Sequence, residues 1–225
     1  MSTRQDFGPT DKVSAEERIL AASAEEFAAN GFYGARTQAI AHAAGVNKAM
    51  LHYYFRSKEN LYSQVIKAAF RKILTQVGQS WLGPGPLKTR IEKVVDSYMD
   101  NYEENPGLLK IILREVVDGG ARLKRAITEL KKSEFPQAEF TPGEIVRGAA
   151  HELGLSPDDT IHFLVNLIGM CAVSFTSPLL LETILDVDVS DMKAFLGDRR
   201  RAIKAMVLAS METLLAKPGS RRRKT

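Results

Sequence analysis

Between Thr37 and Phe55 the chain reads TQAIAHAAGVNKAMLHYYF, and three positions in that run leave little freedom for the fold. Counting Thr37 as the first position, Ala41 is fifth, Gly45 ninth and Leu51 fifteenth. Two short helices crossing near a right angle need a small side chain where they touch, a turn residue that tolerates positive φ, and an apolar plug from the second helix. Alanine, glycine and leucine meet those needs in order. Ile40, Ala44, Val46 and Tyr54 complete the apolar set, while Thr37 and Asn47 are the candidate N-caps. The run therefore predicts a helix-turn-helix over about 37–55, against the plainer alternative of an ordinary helical hairpin.

The rest of the chain repeats the helical period with breakers between. Ser14 and Glu17 have capping-box spacing; Leu20, Ala24, Phe27 and Ala28 form an apolar stripe, and Asn30-Gly31 supplies a stop. Ser57 caps a fourth helix whose stripe is Leu61, Val65, Ala68, Ala69, Ile73 and Val77. GPGP at 83–86 is the clearest break. Helical patterns follow at about 87–104, 107–118 and 121–132, then a loop over 133–143 and a short helix to about 153. Ser156 and Pro157 open a long apolar helix reaching about 177, and a last helix occupies 190–216. No segment alternates, so the class is all-α with about nine or ten helices.

Composition narrows the function classes. The single Cys171 excludes an internal disulfide framework and a multi-cysteine metal site, and fits a reducing, cytoplasmic setting. Neither a targeting signal nor a convincing membrane span is evident, because the apolar run 160–181 is interrupted by His162, Asn166, Ser174 and Pro178. His42, His52, His151 and His162 lack metal-ligand spacing, no acid, base or nucleophile cluster marks an enzyme, and no cofactor is implied. Net charge is +4, but its distribution says more. Residues 31–60 carry Arg36, Lys48, Arg56 and Lys58 against Glu59, whereas residues 1–30 carry three basic against six acidic side chains. The positive field is local to the helix-turn-helix, as a polyanionic partner requires.

The run TQAIAHAAGVNKAMLHYYFRSKENLYSQVI resembles the DNA-binding module of the TetR/AcrR transcriptional regulators, whose pattern ends in Tyr-Phe, a short basic link and a Lys-Glu-x-Leu helix start. Here these are Tyr54, Phe55, Arg56, Ser57, Lys58, Glu59 and Leu61. With ERILAASAEEFAANGFYGART before it, the resemblance covers about residues 14–74; beyond that it is one of layout. It implies a three-helix DNA-binding domain at 14–74, an effector-binding and dimerisation domain at 75–217, and tails at 1–13 and 218–225. The chain departs from the pattern on the recognition helix, where His52 replaces the usual tyrosine, and Ala49 and Met50 the frequent glycine and threonine.

Lys48 is the candidate for a guanine edge, Ala49 and Met50 for thymine methyls, and Gln38 for a base or phosphate. Thr37, Asn47 at its cap, Tyr53, Tyr54 and Lys58 belong with these as positioning contacts, with His52 facing the same way. Local alternatives stand beside each: Thr37 can simply cap, Tyr54 can be core and Lys58 solvated. Among the aromatics, Phe55 and the ring of Tyr54 are expected to close the small core.

A regulator so built is expected to bind a palindromic operator of double-stranded DNA as a homodimer, with half-sites about 34 Å apart. The resemblance implies a dimer interface on the last two long helices, with Gly169, Ala172 and Val173 on one and Ala202, Ala205, Met206 and Ala209 on the other. It also implies a small-molecule effector held by the middle helices. Tyr98, Met99, Tyr102 and Arg114, with Phe163, Asn166 and Met170, are its candidates, core packing being the alternative for each. Repression relieved by the effector is the expected logic, with activation or a non-DNA-binding adaptor as alternatives. RRRK at 221–224 is a further candidate phosphate contact or a solvated tail.

Overall fold

The computed structural model describes residues 14–135, 141–176 and 178–216. The tails and the RRRK run lie outside the described residues, as do residues 136–140 of the expected 133–143 loop. Eleven helices occur among the described residues: α1 (Ala15–Gly34), α2 (Thr37–Ala43), α3 (Lys48–Phe55), α4 (Lys58–Leu82), α5 (Leu87–Glu104), α6 (Pro106–Val117), α7 (Ala121–Ser133), α8 (Pro142–Leu153), α9 (Pro157–Thr176), α10 (Pro178–Leu185) and α11 (Met192–Ala216). The chain divides into two compact units, one ending at Ile66 and the other beginning at Lys67. That is earlier than the expected boundary at 74, because α4 is continuous across it and only its first turns, through Leu61, Tyr62, Val65 and Ile66, are core of the smaller unit.

In the first unit α1 begins with the expected capping box, Ser14 accepting from the Glu17 amide while the Glu17 carboxylate accepts from the Ser14 N–H. Gly31 breaks α1 at φ +67, and one further turn runs on to Gly34. Ile19, Phe27, Ile40, Ala41, Leu51, Phe55 and Leu61 are all buried. Phe27 and Tyr62 meet edge to face with ring centroids 4.7 Å apart. Arg18 reaches across to donate from Nε to the Ala44 carbonyl at 3.1 Å, satisfying an acceptor at the end of α2.

In the second unit α5, α9 and α11 pack on one another around Ile91, Val95, Met99, Leu167, Cys171, Ile203 and Val207. Arg200 and Lys204 on α11 hold the acidic face of α5, with Asp96 shared between them and Asp100 2.7 Å from Arg200. Gly148 lets α8 lie against the end of α4: a Cβ there would stand 2.9 Å from Leu82 Cδ2. Ser156 caps α9 through the Asp159 amide as the sequence predicts.

Two elements differ from expectation. Helix α10 follows α9 almost at once, where Ser177-Pro178 reads as the end of helix; proline at the first position of a new helix is equally compatible with its missing N–H. The last helix is capped by Asp191, whose carboxylate accepts from the Ala194 amide, so it starts at Met192 and not at Ser190.

Candidate nucleic-acid interface and ligand cavity

The turn between α2 and α3 follows the predicted chemistry. Gly45 has φ +65 and nothing within 4 Å of a notional Cβ, so the left-handed backbone itself selects glycine there. The Val46 amide closes the turn on the Ala41 carbonyl at 3.0 Å. Asn47 then caps α3, its side chain accepting from the Met50 amide at 2.8 Å. Leu51 and Phe55 anchor α3 inward, which leaves Lys48, Ala49, Met50, His52, Tyr53 and Tyr54 exposed on the rest of its surface. This is the arrangement a reading helix needs, with an apolar root and a polar, mixed outer face.

Two expectations change at this site. Thr37 is not the N-cap of α2: Arg36 holds that position with φ −116, no side chain caps the helix, and Thr37 is its first residue. Thr37 remains half-buried beside the exposed Gln38. The Tyr54 ring does not close the core; it is 41% exposed and stands edge-on to Tyr53 with centroids 5.5 Å apart. Phe55 alone, 2% exposed, fills that part of the core. The 100° step between neighbouring helical residues explains the split, because Tyr54 and Phe55 cannot both point inward.

Lys58 is engaged locally. Its ammonium donates to the Tyr33 carbonyl at 3.3 Å and lies 5.1 Å from the Phe32 ring centroid, with N–H groups left for an outside acceptor. Two cations without an assigned role in the sequence reading join the surface: Arg36 is exposed at the start of α2, and Arg56 lies 5.6 Å from the Tyr53 ring at the end of α3. Arg56 adopts φ +62, unusual for a residue with a side chain. The charge census contained both, but neither sits on a helical stripe that would have marked it.

The second unit contains a cavity of about 680 Å³. Residues of α4, α5, α6, α8 and α9 line it, among them Phe70, Trp81, Tyr98, Tyr102, Leu109, Ile145, Leu164 and Ile168. Tyr98 and Tyr102 face each other with centroids 6.2 Å apart, and Tyr102 meets Phe175 at 5.5 Å. Burial pushes the Tyr102 hydroxyl up to about 12 and raises Tyr98 as well, so both remain protonated donors at neutral pH. Burial likewise raises the Cys171 thiol to about 12, which makes it an inert core group.

The two sets of α9 candidates line different hollows. Gly169, Ala172 and Val173, expected at a dimer interface, line the large cavity. Phe163, Asn166 and Met170, expected to hold the effector, border a separate hollow of about 210 Å³ with Val207, Ser210 and Leu214 of α11. Of the other candidates, Met99 is fully buried in the core and Arg114 is exposed on α6, outside the cavity lining. The buried acid of α6 is Glu115, which accepts from Arg122 Nε at 2.6 Å and from the Leu123 amide. Ala202, Ala205, Met206 and Ala209 share the exposed side of α11, opposite the buried Ile203, Val207 and Met211. Helix α9 is long and apolar enough to cross a membrane by composition, yet its apolar side chains form core and cavity wall. Among the described residues no group of three or more His, Cys, Asp or Glu side chains is placed to hold a metal ion.

Comparison with known proteins agrees with both the motif and the layout. Residues 19–65 match the family model described as bacterial regulatory proteins, tetR family. The HTH-type transcriptional regulator RutR of Escherichia coli strain K12 is 42% identical over 162 residues, spanning 68% of this chain and 70% of RutR. The HTH-type transcriptional repressor NicS of Pseudomonas putida is 24% identical over 180 residues, 79% of this chain and 84% of NicS. In fold the chain is similar to a TetR-like transcriptional regulator from Rhodococcus sp. RHA1, with TM-score 0.61 at 14% identity over 91% of this chain and 99% of that one. With an exposed reading helix on a helix-turn-helix and a relative of this similarity, the chain belongs to the TetR family and is a DNA-binding transcriptional regulator.

Proposed function

We propose that the protein is a dimeric repressor that binds a palindromic operator in the cytoplasm and releases it when an uncharacterised small molecule enters the cavity of the second unit. It has no catalytic role in this reading. The observation that carries it is α3 itself: Leu51 and Phe55 fix the helix, and six exposed side chains, Lys48, Ala49, Met50, His52, Tyr53 and Tyr54, are left to read DNA. The name of the relative NicS supports repression. Small and apolar residues on the exposed side of α11 support pairing through that helix.

A helix of this length spans one major groove, so one copy binds weakly and two copies on a two-fold site bind firmly. Release requires that the effector favour the dimer state in which the two reading helices no longer match the half-site spacing. A ligand with equal affinity for both states would shift nothing. Gel-shift titration against the DNA flanking the protein's own gene tests the reading directly. Retardation of a fragment with an inverted repeat at low salt is expected, and failure to retard any fragment would sink it.

A further inference from the structure

The lining of the large cavity is specific about what it can hold. None of the described residues around it carries a carboxylate, ammonium, guanidinium or imidazole. Its polar side-chain groups are the hydroxyls of Tyr98, Tyr102 and Thr176 and the indole N–H of Trp81. One of these is engaged elsewhere, the Thr176 hydroxyl donating to the Val173 carbonyl, and the Trp81 N–H, beside Gly148 of α8, is buried without a hydrogen-bond partner among the described residues. Tyr98 and Tyr102 remain, one turn apart on α5, with no hydrogen-bond partner among the described residues. The exposed residues of the lining, Leu113, Ile161, Val165 and Val173, are apolar too, so the entrance has the chemistry of the interior.

We propose that this cavity takes an uncharged, mainly hydrocarbon molecule of roughly twenty non-hydrogen atoms, at about 30 Å³ each, whose one carbonyl-type acceptor is bonded by Tyr98 and Tyr102, and that it rejects the matching carboxylate. The proposal rests on the reading of the cavity as the effector site and specifies the effector's class. A carboxylate would lose its hydration and meet no cation, a cost the site has no means to offset. A polar heterocycle would leave several donors and acceptors unpaired against hydrocarbon. An ester, ketone or lactone asks only for hydrogen-bond donors. The two hydroxyls supply them, and the burial that keeps them protonated is the same burial that disfavours an anion.

Displacement of the hydrocarbon dye 1,6-diphenylhexatriene, which has no hydrogen-bonding group, from the full-length protein tests this at pH 8, with methyl dodecanoate and dodecanoate both kept below their aggregation limits. The ester is expected to displace the dye at a concentration at least about tenfold lower than the carboxylate. In the double variant Tyr98→Phe/Tyr102→Phe the ester should weaken by about tenfold while dye affinity stays near wild type, the latter showing that the cavity is intact. Equal or better displacement by dodecanoate, no displacement by either compound, or an undiminished ester in the dye-competent double variant would each overturn the proposal. The wild-type comparison stands whether or not the variant folds. A parallel gel shift separates the two readings: an ester that occupies the cavity yet leaves the operator complex intact refutes the effector role and not the ligand class.

Discussion

Lys48 occupies the first helical position of α3, exposed and one residue beyond the Asn47 cap, where a side chain enters a major groove first. Lys48→Ala should lower discrimination at one operator base pair by about 1–3 kcal/mol, measured by anisotropy on operators differing at that position. Equal weakening on every sequence would make Lys48 a phosphate contact. Lys58 is the opposite case, because Tyr33 and Phe32 already hold its ammonium. Lys58→Ala should weaken binding to all DNA and reduce the salt slope by about one, and an unchanged slope would mean that the local contacts are its whole role. Asn47→Ala removes the α3 cap and should cost about 1 kcal/mol in urea unfolding. At this scale the sequence was legible where a residue's job is local, as with Gly45, Asn47 and the capping box at Ser14. It was less so at Tyr54, which is as apolar in composition as Phe55 but lies one helical step away from the core.

The turn from α6 to α7 depends on a buried ion pair, since Glu115 is 1% exposed and Arg122 reaches it from the next helix. Arg122→Ala should destabilise the protein by about 3 kcal/mol, near the low end for a broken buried pair because the Leu123 amide still donates to the carboxylate. Replacing both residues by leucine should cost less, and thermal unfolding of the two variants compares them. The pair joining α4 to α7 is more exposed. Its hydrogen bonds with Arg71 hold the Glu134 carboxyl below its ordinary value. A depressed folded value stabilises above the unfolded value of about 4.3 and loses that contribution as pH falls through the folded one. With both side chains solvated the effect is at most about 1 kcal/mol, so the stability gap between wild type and Glu134→Gln should be small at pH 7 and close near pH 3. Among the elements, α9 was the least legible. Its Phe163, Leu167 and Cys171 stripe is buried, but Ile161, Val165, Ile168 and Val173 continue apolar character around the helix. Its polar side chains Asp159, His162 and Asn166 mark only one narrow stripe, so periodicity cannot tell which neighbour each apolar stripe meets.

Across the whole molecule, the two units differ in how much their sequences reveal for a physical reason. The first carries a small tight turn whose sterics allow few residues, so spacing alone identifies it. The second is built from long amphipathic helices, where many apolar choices fill the same core and the empty space between them leaves no motif. Its exposed α11 stripe is nonetheless readable, because Ala202, Ala205, Met206 and Ala209 are small or apolar residues on a side opposite the buried Ile203, Val207 and Met211. Met206 is 58% exposed, so Met206→Glu removes little from the protomer's core while placing a like charge opposite itself across the proposed two-fold interface. Sedimentation velocity should show the variant shifting from dimer to monomer with its melting behaviour otherwise retained. Operator affinity should fall far more than affinity for a single half-site, because only the linked second head is lost. A variant that stays dimeric at micromolar concentration would move the pairing surface off this side of α11, and one that is monomeric yet binds the full operator undiminished would remove the need for pairing altogether.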